Sequence, residues 1–346
     1  MIRERLGWGW WTQQVRNPDS WEGYYWGAKH VWGFDNTLGE PYQDAVWDDV
    51  LEHAEMVIFS GNDPEATGFG MSGSIALEMP KWLKRAGIKI VAISPDLNYA
   101  AAIHADKWIP VKPNSDAALY FALAHTWIAE GTYDKDYVKT HTIGFEEFEK
   151  HVMGKDDGVA KSPAWAEKMT GVPAHTIRAL AREWAGKRTT LSVYFGGPKI
   201  RGTLSHLVGR LEAYVLAMQG IGRPGRQFLR TGAPSFYKKS LAQVPRYPDV
   251  DRHGIPFSPM IEYAIGHGPK SPVFIPRTLA TEAILNSSVE WRSTSAALAK
   301  TEDQFKRYHF PPSKDHPGIR MVWNENGSQP GSWGNGYQWL EALRAP

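Results

Sequence analysis

A short apolar run, Met56–Phe59, ends at a cluster of turn-forming residues, Ser60–Pro64, and this transition constrains the fold most. Its branched and aromatic side chains and its short length favour a buried strand over a helix. A helical pattern follows, and a second apolar run, Ile88–Ile93, then closes on Ser94–Asp96. This order predicts a βαβ unit, in which the loops at the carboxyl ends of the strands bind ligands. No G-x-G-x-x-G follows the first run, so the ordinary fingerprint of a nicotinamide-binding domain is absent. The alternative to a ligand-binding unit is a βαβ unit that only builds a core.

A third strand is predicted at Thr189–Phe195, where β-branched and aromatic residues again end in a glycine-rich loop, Gly196–Pro198. An apolar helical pattern follows from Leu204 to Gln219. Buried strands that each lead into a small or polar loop and then into helical sequence are typical of the α/β class. We therefore predict a doubly wound, largely parallel sheet with flanking helices and with the three loops along one edge.

Composition divides the chain into three segments. Residues 1–50 hold seven of the 16 tryptophans within their first 47 positions. This density suits the wall of a binding pocket or a surface buried by missing protein, and the alternative is a crowded core. Residues 51–227 contain the predicted α/β domain. Residues 228–346 begin with an irregular stretch rich in proline, aromatic and basic residues, and they include a predicted return strand at Ile319–Trp323.

Several classes of function are excluded by composition. The formal net charge of +2 gives no basic field that would indicate nucleic acid as a partner. The chain has no cysteine, which excludes disulfides, thiolate nucleophiles and cysteine-ligated iron–sulfur clusters within it. No apolar run approaches the roughly 20 residues that a membrane span requires. A cytoplasmic location is the default expectation, and the periplasm stays open as the alternative.

Three segments, in this order along the chain, carry a family resemblance. The run Phe59–Thr67 resembles the G-x-N-P-x-x-T loop of molybdopterin-dependent oxidoreductases of the dimethyl-sulfoxide-reductase family. The run Ala105–Leu119 resembles the family's A-D-x-W-x-P-I-R-P-G-T-D-A-A-L segment, with Lys112 in place of the arginine. The run Met218–Gly225 is similar to the family's T-G-N-I-G-K-P-G helix ending.

Within this family, Pro18–Gly27 and Pro276–Asn286 look most like the branch of the pyrogallol–phloroglucinol transhydroxylase large subunit. The resemblance implies an oxidoreductase or transhydroxylase that acts on hydroxylated aromatic compounds. It makes Ser20 the candidate molybdenum ligand and a catalytic residue, because a serine alkoxide is a hard anionic donor. It also makes Asp19 a candidate general acid and base toward a phenolic hydroxyl group. Without the resemblance, these residues predict only a turn.

The family implies one molybdenum held by two molybdopterin guanine dinucleotides, with residues 51–227 as a dinucleotide-binding domain. Loop N–H groups and helix N-termini suit the pyrophosphates. Asp116 would accept two hydrogen bonds from a guanine edge, and Lys112 would supply charge at a phosphate. The alternatives are a plain helix cap for Asp116 and a solvated charge for Lys112. The expected cofactor-binding residues are Ser60, Asn62, Asp63, Ser94, Asp96, Lys112, Asp116, Gly196 and Gly197.

The resemblance covers only the middle of such a subunit, so we expect this chain to be a central fragment. Its expected partners are a small aromatic substrate, the N- and C-terminal segments of the subunit and an iron–sulfur small subunit. Any iron–sulfur cluster is expected outside this chain. Two alternatives stay open: a non-catalytic truncated remnant of such a subunit, and another activity of the dimethyl-sulfoxide-reductase family.

Overall fold

The computed structural model describes most of the chain from residue 46 onward. The described residues are 27, 31, 46–66, 75–193, 197–199, 204–230, 275, 279–292, 307–316, 318–322 and 336–345. The chain forms two compact units, one of Glu40–Val244 and one of Met1–Gly39 together with Pro245–Pro346. The division into segments 1–50, 51–227 and 228–346 stays a prediction.

The larger unit is built on a parallel sheet of five strands in the order β3-β2-β1-β4-β5. The strands are β1 (Met56–Ser60), β2 (Lys89–Ser94), β3 (Lys107–Pro110), β4 (Thr189–Val193) and β5 (Phe228–Arg230). The predicted α/β class, with a parallel sheet and flanking helices, is therefore confirmed. The strand β5 was not predicted, because its three residues are too few to show a pattern beside an irregular stretch.

The central strand β1 fixes the register of the sheet. Phe59 lies opposite Ala92 of β2 on one side and Ser192 of β4 on the other. All five residues of β1 are buried, as expected for a strand with parallel neighbours on both sides and helices over the sheet. The strand order runs outward from β1 to β3 and then restarts at β4, so the topology reverses between β1 and β4.

Helices connect the strands and cover the sheet. They are α1 (Val46–His53), α2 (Ile75–Arg85), a π-helix (Ala100–His104), α3 (Asp116–Glu130), α4 (Lys135–His141), α5 (Phe145–Val152), α6 (Pro163–Thr170), α7 (Ala174–Ala185), a 3-10 turn (Gly197–Lys199), α8 (Ser205–Met218), α9 (Ala280–Leu285) and α10 (Gly336–Arg344). Among the described helices, none is both long and apolar enough to span a membrane.

Helix α3 forms the centre of the helical layer, where it packs against α5 to α8. Its Trp127 is fully buried and meets Trp184 of α7 edge to face, with ring centroids 5.3 Å apart. The Trp127 Nε1–H donates to the Ala181 carbonyl oxygen at 2.7 Å, which satisfies the one polar atom of the ring. These tryptophans belong to the core.

The tryptophans of the first 47 residues fall largely outside the described part of the chain. The exception is Trp47 in α1, whose ring meets that of Trp82 edge to face at 6.4 Å. Trp47 therefore packs within the larger unit, on the side of the core cluster that contains Val50 and Leu83. The predicted pocket wall at the other six positions stays a prediction.

The smaller unit contains an antiparallel pair of short strands, β6 (Val289–Arg292) and β7 (Arg307–Phe310). The helices α9 and α10 meet in the same unit, where Thr281 Oγ1 donates to Gln338 Oε1 at 2.8 Å. Neither strand was predicted from the sequence, because runs of four residues that include charged side chains carry little pattern.

The predicted return strand at Ile319–Trp323 is wrong over its described part. Residues 318–322 belong to no strand, and Met321 is 60% exposed. The apolar run therefore lacks the burial and the hydrogen-bonded neighbour that a strand needs, whereas Val289 and Phe310 pair with each other and are buried.

Two glycines allow the loops after β1 and β4 to touch. Gly61 and Gly197 both have a positive φ, +62° and +61°. A Cβ on Gly197 would lie 2.4 Å from the Gly61 carbonyl oxygen and 2.8 Å from its Cα, and a Cβ on Gly61 would lie 2.4 Å from Pro198 Cδ. Because backbone atoms cannot move aside as a flexible side chain can, the close approach requires glycine at Gly197.

We expect Gly197→Ala to destabilise the chain by at least about 2 kcal/mol more than Gly87→Ala. Gly87 is the matched control, since it also has a positive φ, +75°, but a Cβ added to it would have no atom within 4 Å. Both variants carry the conformational cost of the left-handed region, and only the first adds a collision. Urea unfolding measures the difference. Equal losses in the two variants would contradict the close contact of the two loops.

Candidate functional site

The carboxyl edge of the sheet brings together the predicted ligand loops. All five strands are parallel, so the loops after β1, β2 and β4 leave from the same edge. The Gly61 N–H donates to the Ile93 carbonyl oxygen at 2.9 Å, which joins the loop after β1 to the end of β2. We call the meeting of Ser60–Pro64 with Gly197–Lys199, where the strand order reverses, the switch point. The shared edge is confirmed for these loops, and Gly196 lies outside the described residues.

Two predicted cofactor residues of the first loop turn their side chains into the protein. Ser60 is buried, and its Oγ donates to Glu212 Oε1 at 2.5 Å and lies 2.6 Å from the Tyr120 hydroxyl oxygen. Asn62 is also buried, and its Nδ2 donates to Ser192 Oγ at 3.2 Å. These side chains hold the loop against the sheet from below, and a direct role toward a cofactor stays a prediction.

Asp63 and Glu65 tie the first loop to the segment that follows β2. Asp63 Oδ1 accepts from the N–H groups of Glu65 and Ala66 at 3.0 and 3.2 Å, and Oδ2 accepts from the Tyr99 N–H at 3.1 Å. Glu65 Oε1 lies 2.6 Å from Nε2 of His104 in the π-helix. The Asp63 carboxylate thus organises the loop and fastens it to its neighbour.

The remaining predicted residues of the edge differ in exposure. Ser94 is buried, and its Oγ donates to the Asp96 carbonyl oxygen at 2.8 Å. Trp108 Nε1–H donates to the Ser94 carbonyl oxygen at 3.0 Å. The Asp96 and Lys112 side chains are exposed. Of the side chains in this paragraph, Lys112 is the one that carries a positive charge, and its exposure leaves the ammonium accessible to a ligand.

Asp116 is the first residue of α3 and is only 5% exposed. The preceding Ser115 occupies the cap position, but its Oγ donates backwards to the Lys112 carbonyl oxygen at 2.6 Å. The alternative of a plain helix cap is therefore not observed for Asp116. Burial raises the pKa of the Asp116 carboxyl to about 6; its own backbone N–H and the Lys199 ammonium oppose the rise, and the Glu212 carboxylate adds to it.

Sequence reasoning missed two charged residues beneath this edge. Lys199 and Glu212 form an ion pair at 2.9 Å, with side chains 1% and 0% exposed. Lys199 Nζ also lies 3.4 Å from the Ser60 carbonyl oxygen, to which it donates. Burial, followed by the Glu212 charge, raises the pKa of Tyr120 well above its ordinary value. The available signal was Glu212 itself, the one acidic residue of α8, which lies between Leu211 and Ala213 on the buried face.

The predicted molybdenum ligand, Ser20, and the predicted general acid and base, Asp19, lie outside the described residues. Within the described ranges, His151, Asp156 and Asp157 offer ligand atoms within 4.8 Å of one another. However, His151 Nδ1 lies 3.0 Å from Asp156 Oδ2, and Lys161 Nζ pairs with Asp157 Oδ2 at 2.5 Å. These carboxylates are exposed and already have protein partners, so we assign no metal to them.

The buried Asp116 predicts a pH-dependent stability. A carboxyl whose pKa is about 6 when folded and 3.8 otherwise binds protons more tightly in the folded chain. Its ionisation therefore destabilises the fold as the pH rises from about 4 to above 6, by up to about 3 kcal/mol. Asp116→Asn lacks this titration.

We expect Asp116→Asn to gain about 2–3 kcal/mol relative to the wild type when the pH rises from 4 to 7.5. Urea unfolding of both proteins at the two pH values measures the change, and Asp136→Asn, at an exposed site in α4, is the matched control. A difference between wild type and Asp116→Asn that is the same at both pH values would show that the carboxyl is not perturbed.

The comparisons with known proteins agree on one family. A family model described as Molybdopterin oxidoreductase matches residues 24–300. The chain is 36% identical over 338 residues to the pyrogallol hydroxytransferase large subunit of Pelobacter acidigallici, which covers 93% of this chain and 38% of that protein. It is 33% identical over 203 residues to the trimethylamine-N-oxide reductase of Haemophilus influenzae, covering 58% of this chain and 24% of that protein.

A solved structure of acetylene hydratase from Pelobacter acetylenicus is also similar, at 21% identity and a TM-score of 0.44, over 60% of this chain and 25% of that one. A similarity this low carries no weight in assigning the chain to a family. The chain spans well under half the length of the curated relatives, at 38% and 24%. The family model covers most of the chain, and the first relative matches nearly all of it. This chain belongs to the molybdopterin oxidoreductase family.

Proposed function

We propose that this chain is the part of a catalytic subunit that binds molybdopterin guanine dinucleotide, in an enzyme that acts on hydroxylated aromatic compounds. The enzyme would be a molybdenum-dependent oxidoreductase or hydroxytransferase. The observation that carries the proposal is the 36% identity to a pyrogallol hydroxytransferase large subunit over 93% of the chain. Since the chain spans 38% of that subunit, the activity belongs to the complete subunit.

The residues at the carboxyl edge fit an anionic dinucleotide. Gly61 and Gly197 bring two loops into backbone contact and place no side chain between them at the switch point. Turns of this kind present N–H groups to phosphates. The exposed Lys112 adds a positive charge, and the buried Asp116 carboxylate can accept two hydrogen bonds from the N–H donors of a guanine edge. Asp63 would serve the site by holding the first loop in place.

The residues assigned to the metal and the substrate lie in the N-terminal segment. When bound, the molybdenum would supply the redox-active centre of the enzyme. Ser20 would provide an alkoxide ligand to it, and Asp19 would hold or accept the proton of a phenolic hydroxyl group. The tryptophan-rich segment 1–50 would stack on a flat aromatic substrate and exclude water.

Partners and location follow from the same proposal. The subunit would need its further N- and C-terminal segments and an iron–sulfur small subunit as electron partner, with the iron–sulfur cluster outside this cysteine-free chain. We place the enzyme in the cytoplasm, with the periplasm as the alternative.

Two competing functions remain to be separated by experiment. The similarity to a trimethylamine-N-oxide reductase, 33% identity over 203 residues, favours another activity of the dimethyl-sulfoxide-reductase type as the second candidate. The other is a truncated remnant that has lost catalysis. The first predicts turnover with an N-oxide instead of a polyphenol, and the second predicts a chain without bound molybdenum.

The first test is cofactor retention. The complete subunit, assembled with the segments that its relatives possess, is purified from a host that makes the molybdenum cofactor, and molybdenum and released guanine nucleotide are counted per subunit. We expect both to be present and expect Asp116→Ala to retain about tenfold less, because a buried guanine edge loses its acceptor. The exposed Asp136→Ala is the matched control and should retain the wild-type amount. A complete wild-type subunit without metal or guanine would support the remnant.

The second test is turnover of the complete subunit, assembled with the segments that its relatives possess. We expect hydroxyl transfer between polyphenols, and we expect Ser20→Ala to lose most of it while the guanine nucleotide stays bound, because only a metal ligand is removed. Full turnover of Ser20→Ala with metal bound would overturn the ligand assignment. Reduction of trimethylamine N-oxide without polyphenol turnover would favour the second candidate.

A further inference from the structure

The buried ion pair between Lys199 and Glu212 joins helix α8 to the turn after β4 and has no role in the function proposed above. The two side chains are 1% and 0% exposed, and Lys199 Nζ donates to Glu212 Oε1 at 2.9 Å. Removing two charges from water is costly, and a buried ion pair is often no more stabilising than apolar residues of the same size. Glu212 Oε2 is also buried and has no hydrogen-bond partner among the described residues, which adds to the cost. Fold stability alone therefore does not explain the pair.

Both members of the pair bind Ser60, the last residue of β1. Glu212 Oε1 accepts from Ser60 Oγ at 2.5 Å, and Lys199 Nζ donates to the Ser60 carbonyl oxygen at 3.4 Å. Because the Ser60 hydroxyl hydrogen goes to Glu212, the Tyr120 hydroxyl, 2.6 Å away, donates to Ser60 Oγ. The pair thus holds Ser60 by its backbone and by its side chain, and Tyr120 connects the same residue to α3.

The hydrogen bond from Lys199 to Ser60 crosses from one switch-point loop to the other. Ser60 directly precedes Gly61, and Lys199 lies two residues after Gly197, so the bond lies beside the two glycines whose backbones touch. The glycine contact limits how closely the loops can approach, but it does not stop them from separating. An attractive interaction is needed to keep the loops together, and the Lys199 ammonium supplies one.

We propose that Lys199 and Glu212 are positioning residues, which hold the loops after β1 and β4 together so that the switch point keeps the shape that a dinucleotide phosphate requires. The part of this inference that concerns the dinucleotide rests on the proposed function, whereas the holding of the loops does not. Neither side chain is exposed, so both act through Ser60 and not by touching a ligand. We expect loss of the pair to open the loops and to weaken cofactor retention while the fold keeps its stability.

The double variant K199M/E212Q separates positioning from stability. Removal of one member alone would leave a buried charge without its partner, which is strongly destabilising, whereas removal of both leaves no charge. The amide that replaces the Glu212 carboxylate can still accept from Ser60 Oγ, and the methionine side chain is similar in length to that of lysine. The bond from Lys199 Nζ to the Ser60 carbonyl oxygen is therefore the contact between the two loops that this variant removes.

The matched control is K161M/D157N, in the connection between α5 and α6. Lys161 is 5% exposed, and it also bridges a carboxylate and a carbonyl oxygen. Its Nζ donates to Asp157 Oδ2 at 2.5 Å and to the Val159 carbonyl oxygen at 2.6 Å. The control thus removes a buried lysine and its acidic partner without removing a bond of the switch point.

The first arm measures loop opening by hydrogen exchange in the complete subunit, purified from a host that makes no molybdenum cofactor. The reporters are peptides that cover the two switch-point loops, including the Gly61 N–H that donates to the Ile93 carbonyl oxygen. We expect exchange in these loops to be about tenfold faster in K199M/E212Q, because a hydrogen bond to a charged group is lost. Exchange in α3 should stay within about twofold of the wild type, and the urea midpoint within about 0.5 M. The control should leave exchange in the loops unchanged.

Unchanged exchange in the loops of K199M/E212Q would overturn the inference, and so would an equal acceleration in α3 with a lower urea midpoint, since that is the result of a merely structural role. If the double variant fails to fold, Ser60→Ala takes its place, because it removes the hydroxyl that binds Glu212 and Tyr120 and leaves the ion pair intact. We expect about threefold faster exchange in the loop after β1 of the cofactor-free Ser60→Ala subunit. Wild-type exchange in that loop would contradict the proposed positioning.

The second arm counts molybdenum and released guanine nucleotide per complete subunit from a host that makes the cofactor. We expect K199M/E212Q to retain about tenfold less than the wild type, because a ligand must then order the loops itself, and K161M/D157N to retain the wild-type amount. Open loops with full retention would overturn the positioning of the dinucleotide. A wild-type subunit that retains neither metal nor guanine would instead count against the proposed function, and the first arm would still decide whether the pair holds the loops.

Discussion

The parallel pairing of β1 with β2 on one side and β4 on the other is the constraint on which the rest of the larger unit depends. It buries all of β1 and brings the loops after three strands to one edge. It also places the topological reversal beside β1, and this is where ligands bind in open α/β sheets. The backbone contact of Gly61 with Gly197 is a direct consequence, since the ends of neighbouring parallel strands must pass close to each other.

Beneath that edge the protein buries charged groups, although protein cores are ordinarily apolar. Lys199 and Glu212 are buried as a pair, and Asp116 has a carboxyl whose pKa burial raises to about 6. Near neutral pH the ionised Asp116 therefore destabilises the fold. Groups that lower stability in this way concentrate at functional sites. The proposed function offers a reason for this one, because a guanine base would supply N–H donors to the ionised carboxylate.

Much of this architecture could be predicted from the sequence, because β1, β2 and β4 are apolar runs that end in turn residues and because the motif around Asp116 is local. The failures have physical causes. The run Ile319–Val322 looked like a strand, but it has no neighbouring strand among the described residues. The contacts of Ser60 with Glu212 and Lys199 span 152 and 139 positions, and no local pattern reports such a distance. The side chain of Ser60 thus faces the core, whereas the family resemblance implied that it contacts the cofactor.

The central claim is that the carboxyl edge of the sheet recognises guanine through Asp116. Hydrogen exchange of the wild-type chain with and without GDP tests it most directly, because it reports where a ligand contacts the fold. The account predicts slower exchange in peptides that cover residues 60–66, 94–99 and 112–120 with GDP, less protection with ADP, and no change in the β6–β7 pair. Protection that is equal for both nucleotides, or that falls only on β6 and β7, would contradict it.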